Sequence, residues 1–202
     1  MQTNGHAYWT HRVVRRVGGR TGPAVAGSVA PDVPAALRLA FLLLRGYGGT
    51  ELLDRAYHRS PWRELHLAIH SVVTPAAVVA LAQLVGPAHR PTLRALAAGW
   101  LSHQLVDYAT HADDAWPPLW PLSQRRVRAL SYWQPEHGAR ELGALEVGAL
   151  AVMVLGERRT LDTALTVGEM VFAARALFAG DDMWSQIGWT PDRDARARDL
   201  ES

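Results

Sequence analysis

The segment Gly99-Trp100-Leu101-Ser102-His103-Gln104-Leu105-Val106-Asp107-Tyr108-Ala109-Thr110-His111 sets two imidazoles and a carboxylate at steps of four residues. A helix advances about 100° per residue, so each step of four drifts by only about 40°. His103, Asp107 and His111 therefore form one stripe, with Leu101, Leu105, Val106 and Ala109 supplying apolar packing beside it. Ionisable groups on a buried face are costly unless paired or metallated. This trio has the donor types that hold zinc, iron or manganese. The competing reading is a hydrogen-bonded structural trio.

Other candidates have the same chemistry. His66 and His70 stand four apart in an apolar run and can chelate one ion, with His58 just upstream. His137 and Glu141 repeat the spacing at a predicted helix start, where a capping pair or surface ion pair is the alternative. Asp32, in a turn after Pro31, is either a ligand or a helix cap. His11 is the weakest candidate in isolation. The chain has 9 histidines, and three helical segments present His or carboxylate at this spacing. His6 and His89 fit no such pattern and stay outside the predicted set. Trp100, Trp116 and Trp120 can wall the site or simply pack.

These side chains need elements to position them. The chain has 202 residues and 49% hydrophobic composition, enough for one domain with a substantial core. No linker or low-complexity run divides it. The absence of cysteine excludes disulfides, thiolate metal sites and thiol catalysis. Every base is arginine, and the net charge is only +2, so no specific nucleic-acid binding is predicted. Arg15-Arg16, Arg125-Arg126-Arg128 and Arg158-Arg159 are solvated surface or contacts for an anion. The start of the chain does not read as a signal peptide.

The glycines and prolines of residues 1–33 predict an irregular N-terminal segment contributing His11 and Asp32, with a short helix near Thr10–Val17. Residues 34–180 should form the helical metal-site domain, and 181–202 a C-terminal tail. Within that domain, helices start at Pro34 and Thr50, at Ser60-Pro61 with a kink at Pro75, at Pro91, at Pro135-Glu136, and at Thr160, the last ending at Gly180. Residues 112–122 read as a loop and 124–132 as a short helix. The uncharged run 65–89 is long enough to cross a bilayer, but its polar residues favour a buried helix. No alternating strand pattern is present. The expected class is all-α: a single-domain bundle with a His/Asp/Glu metal site between helices.

The order of these ligands resembles the zinc-dependent phospholipase C and P1 nuclease superfamily. More closely, Gly99 to Thr110, followed by Leu119-Trp120-Pro121-Leu122, resembles the inner-membrane-associated metal-dependent hydrolases described as LexA-binding. His70-Ser71 and Pro31-Asp32 are further shared pieces, and the likeness covers about residues 10–145. The resemblance implies one to three zinc ions, held among His11, Asp32, His66, His70, His103, Asp107, His111, His137 and Glu141. One ion would take Asp32, His103 and either His66 or His70; a second would take His111, His137 and Glu141. Asp107 would bridge them, with Asp107 and His103 at the catalytic centre. The expected activity is hydrolysis of a small-molecule or lipid phosphoester. The expected location is cytoplasmic or inner-membrane-associated. A non-enzymatic regulatory protein with a structural metal is the alternative.

Overall fold

Thr21, Gly22 and Pro23 begin a helix rather than a loop, because the first turn has N–H groups with no intrahelical acceptor and proline loses nothing there. In this computed structural model, which describes residues 2–59 and 61–178, helix α1 spans Thr3–Arg16 and α2 spans Thr21–Val29. The N-terminal segment is thus helical, not irregular as the sequence predicts. Gly18, with φ 73°, and Gly19 fall at the α1–α2 turn, and Gly27 lies on the packed face of α2.

The remaining helices are α3 (Val33–Leu44), α4 (Gly49–Leu53), α5 (Trp62–Ile69), α6 (Val73–Leu84), α7 (Arg90–Thr110), α8 (Ala139–Gly156) and α9 (Thr160–Leu177). A single π-helical turn, Asp54–His58, follows α4, and a 3-10 turn, Pro135–His137, precedes α8. No strand occurs among the described residues, and the chain forms one domain. The predicted tail, 181–202, lies outside the described residues, as do Ser60 and the predicted helix end at Gly180.

Two sequence expectations are corrected here. Residues 124–132 form no helix. They run along the end of α7 instead, where Ala129 and Tyr132 donate their N–H groups to the carbonyls of His111 and Thr110, both at 3.2 Å. The long helix from residue 61 is broken at His70–Val72, not kinked at Pro75. Pro75 sits third in α6, a position that tolerates it. The pair α5–α6 bends by 65° at this break, and α2–α3 bends by 52° at Ala30–Asp32. Among the described residues no single helix is long and apolar enough to cross a membrane, although each bent pair reaches that length and composition.

The longest helix, α7, is the axis of the fold, with α2, α6 and α1 packed on it. Its crossing with α2 depends on two glycines. A Cβ at Gly27 would lie 1.9 Å from the Leu96 carbonyl oxygen, and one at Gly99 would lie 1.8 Å from that of Ala24. Each helix therefore offers a bare backbone to the other's carbonyl. This close approach brings the end of α2, and Asp32 just beyond it, against the middle of α7. A second layer, α8 against α9, packs with its own glycine contact: a Cβ at Gly143 would lie 2.6 Å from the Leu177 nitrogen.

Candidate metal centre

Both bends of the chain carry a candidate ligand. Asp32 occupies the N-cap position of α3 but makes no capping hydrogen bond. Its carboxylate turns inward, with Oδ1 lying 3.6 Å from His70 Nε2 and 3.7 Å from His103 Nε2. The Thr3 hydroxyl donates to Oδ2. His70 ends α5 at the second bend. The two ring nitrogens of His70 are told apart by their surroundings, since Nδ1 donates to the His66 carbonyl at 3.0 Å. In the same way His103 Nδ1 donates to the Ser28 carbonyl at 2.7 Å. A carbonyl only accepts, so in each neutral ring Nε2 carries the lone pair.

The α7 stripe continues the cluster. Asp107 Oδ2 lies 3.0 Å from His103 Nε2, and Asp107 Oδ1 lies 3.0 Å from His6 Nε2 and 3.5 Å from His111 Nε2. His111 Nδ1 is bound to the Asp114 carboxylate at 2.7 Å. Three histidines thus have Nδ1 anchored and Nε2 turned toward two carboxylates, the arrangement in which outer hydrogen bonds orient metal ligands. Ligand atoms around one zinc or similar ion stand about 3–4 Å apart, given bonds of about 2.0–2.2 Å, and these separations match.

Two ligand groups have their atoms within 4.8 Å of one another: Asp32, His70 and His103, and His6, His103 and Asp107. The side chains of His6, His70 and His103 are at most 5% exposed, and that of Asp107 is 13% exposed. His103 Nε2 is buried without a hydrogen-bond partner, despite its short distance to Asp107. A buried Nε2 facing two carboxylates calls for positive charge at that point, carried by a proton on the ring or by a bound cation.

The electrostatics set the charge of each group: burial opposes charge on His103, but Asp107 and Asp32 outweigh it and raise its pKa above the ordinary histidine value. Burial pushes the His6 pKa down to about 4, keeping that ring neutral at pH 7. Burial would also raise Asp32, but the facing His70 and His103 rings outweigh it and hold the carboxyl well below the usual carboxylate range. Burial opposes charge on His111 too, yet Asp114 and Asp107 outweigh it and push that pKa up to about 9. Burial drives His66 well below its ordinary value. Its ring stacks on His70 at 3.9 Å and meets Trp116 edge-on at 4.4 Å, which makes it a support for the candidate ligand beside it.

The structure therefore distributes the predicted residues unevenly. Asp32, His70, His103, Asp107 and His111 converge. His66 lies against the cluster but belongs to neither ligand group. The place expected for His11 is taken by His6. These residues are five apart on α1, hence about 140° apart around its axis, and His6 is on the buried side. His137 and Glu141 also stay outside both groups. His137 Nε2 lies 3.3 Å from Asp113, and Glu141 is exposed at the start of α8. The sequence reading missed His6, Ser28 and Asp114. Only Asp114 carried a signal, its spacing of three from His111.

Trp116, with Tyr108 and Ala115, lines a cavity of about 10 Å³ that also touches His70, Gln104, Asp107 and His111. That is room for about one water molecule. Trp100 instead spans from α7 to the α5–α6 break, its Nε1 donating to Ile69 O at 2.7 Å. Compared with protein-family models, with curated proteins and with solved structures, the chain matches none.

Proposed function

We propose that this protein is a metal-dependent hydrolase of phosphoesters, with two ions sharing Asp107. The orphaned Nε2 of His103, buried among Asp32, His70 and Asp107, is the observation that carries this reading. Asp32, His70 and His103 would hold one ion. His6, His111 and Asp107 Oδ1 would hold the second, replacing the set with His137 and Glu141 that the resemblance implied. An all-nitrogen-and-oxygen donor set of this kind suits zinc. Bound there, such ions supply a water of lowered pKa and Lewis acidity toward a phosphoryl oxygen.

The chain's own residues supply the rest. Asp107 presents one oxygen to each half of the cluster. Ser28, His66 and Asp114 fix the imidazole orientations, so little reorganisation is needed when a ligand binds. Trp116, Ala115 and Tyr108 enclose the one-water cavity beside Asp107. Its small size also favours the second reading, a closed structural metal in a regulatory protein. Membrane association belongs to the proposal, since α3 exposes Leu37, Phe41 and Leu44 and α6 exposes Leu81 and Leu84. A lipid phosphoester is then as suitable a substrate as a small molecule.

The test is elemental analysis of protein purified without chelator, together with turnover of a generic aryl phosphodiester. The expected result is bound zinc and hydrolysis, with Asp107→Asn losing both metal and at least about 100-fold in rate, roughly 2.7 kcal/mol of transition-state stabilisation. Metal-free protein that gains no stability from zinc overturns the metal reading. Stoichiometric zinc with no turnover of any phosphoester favours the structural one.

A further inference from the structure

Helix α7 carries a second stripe, one residue round from the ligands. Trp100, Gln104 and Tyr108 follow each other at steps of four, as Gly99, His103, Asp107 and His111 do. All three point at the break between α5 and α6. Trp100 Nε1 donates to Ile69 O at 2.7 Å. Gln104 Nε2 donates to Ile69 O at 3.0 Å and to Ser71 O at 2.7 Å. The Tyr108 hydroxyl donates to His70 O at 2.9 Å. Three consecutive carbonyls, those of residues 69, 70 and 71, are thereby satisfied by one helix face.

A helix end leaves its last carbonyls without intrahelical donors, and a glycine in the left-handed conformation commonly solves the problem. No glycine follows α5, and Ser71 is fully buried. Local donors meet Ala68 O, through Ser71 N–H and the Thr74 hydroxyl, and Thr74 N–H reaches Ser71 O; α7 supplies the donors for the carbonyls of residues 69 and 70 and a second one for 71. The loop after α7 holds the other side, where the Ser71 hydroxyl and the Val72 N–H both donate to Pro118 O. His70 stands in the middle of this clamp. Its ring is set by the His66 carbonyl and the His66 stack, so the direction of Nε2 follows from the backbone at 69–71.

We propose that Trp100, Gln104 and Tyr108 are positioning residues for the ligand His70, holding the α5–α6 break in the geometry that aims His70 Nε2 at Asp32. The proposal rests on the metal reading above. In this view α7 serves the centre twice, once with ligands of its own and once by fixing a ligand on another helix. Gln104 is the strongest member, because its side chain is fully buried and both of its amide donations go to the break.

The probe is zinc itself, titrated against a competing chelator at a temperature where every variant is folded. Tyr108→Phe removes one hydroxyl and Gln104→Leu removes both amide donations. Leu150→Ala, a buried change in the α8–α9 layer, lowers stability without touching the break and is the control. Each stripe variant should weaken zinc binding at least tenfold, while Leu150→Ala leaves it within twofold. In a His70→Ala background the stripe changes should add nothing further. Wild-type binding with unchanged affinity in both stripe variants overturns this proposal and leaves the metal reading standing. A wild-type chain that takes up no zinc overturns both. Should Gln104→Leu not fold, the milder Tyr108→Phe decides between these outcomes alone.

Discussion

At the residue scale the centre depends on which ring nitrogen faces inward. Ser28, His66 and Asp114 each bind an Nδ1, and that choice sends three Nε2 atoms toward Asp32 and Asp107. His6 is the candidate ligand with the sharpest test, because His11 on the same helix competes for the role. His6→Ala should lower zinc content by about one ion per chain and raise the sensitivity of the protein to chelator. His11→Ala should change neither. Reversed results, read by elemental analysis of both variants, would return the site to the residue that the sequence suggested. The α7 stripe was legible because its spacing repeats the helix period within one element. His6 was not, because a single histidine has no local pattern and its partner Asp107 stands 101 residues away. Asp32 was legible as a polar residue in a turn, but its freedom from capping duty is a property of the packed structure.

At the scale of elements, bare backbone at the α2–α7 crossing brings the ligands together. Gly99→Ala would drive a methyl group into the Ala24 carbonyl, on the helix that carries Ser28 and leads to Asp32. Such overpacking typically costs about 1–3 kcal/mol, and zinc affinity should fall with stability. Gly168→Ala is the contrasting case. Its Cβ would meet nothing within 4 Å, in the interior of α9, so the change should stabilise by roughly 0.5–1 kcal/mol. Denaturant unfolding of the two variants checks both signs. If Gly99→Ala is as harmless as Gly168→Ala, the crossing is looser than described. Most helix starts were readable from prolines and caps. The break at 70–72 was not, since the donors that meet its carbonyls stand on α7, about 30 residues away or more, and no local residue announces it. Pro75 was misleading for a related reason, being compatible with the first turn of a new helix.

At the scale of the molecule, the outer surface contrasts with the polar centre. Leu44 is 88% exposed at the end of α3 and Leu84 is 82% exposed at the end of α6. These two helices lead away from the two bends that hold Asp32 and His70. Apolar surface of this extent usually meets a partner or a lipid phase. The protein should co-float with anionic phospholipid vesicles, and Leu37→Gln, Leu44→Gln and Leu84→Gln combined should reduce the bound fraction several-fold. Retention of the triple variant on vesicles would detach lipid binding from α3 and α6. A concentration-dependent dimer that ignores vesicles would assign the same surface to a second copy. The fold class was legible from the lack of strand patterns and the helical periodicity. The sequence also shows an apolar run at 65–89, but the 65° bend turns that run into two short helices.

The distance along the chain between His6 and Asp107 has a consequence for biosynthesis. A ribosome adds about 5–20 residues per second, so His6 emerges several seconds before the carboxylate it will face. In that interval α1 has none of its eventual partners on α7, α8 or α9, so Asn4 lacks Glu169 and His6 lacks Asp107. Asp32 and His70 arrive next, followed by His103, Asp107 and His111 within a single helix. The centre is therefore completed late and almost at once, when α7 folds and the waiting first helix docks. A cation that needs the full set of these side chains therefore has no complete site before that moment.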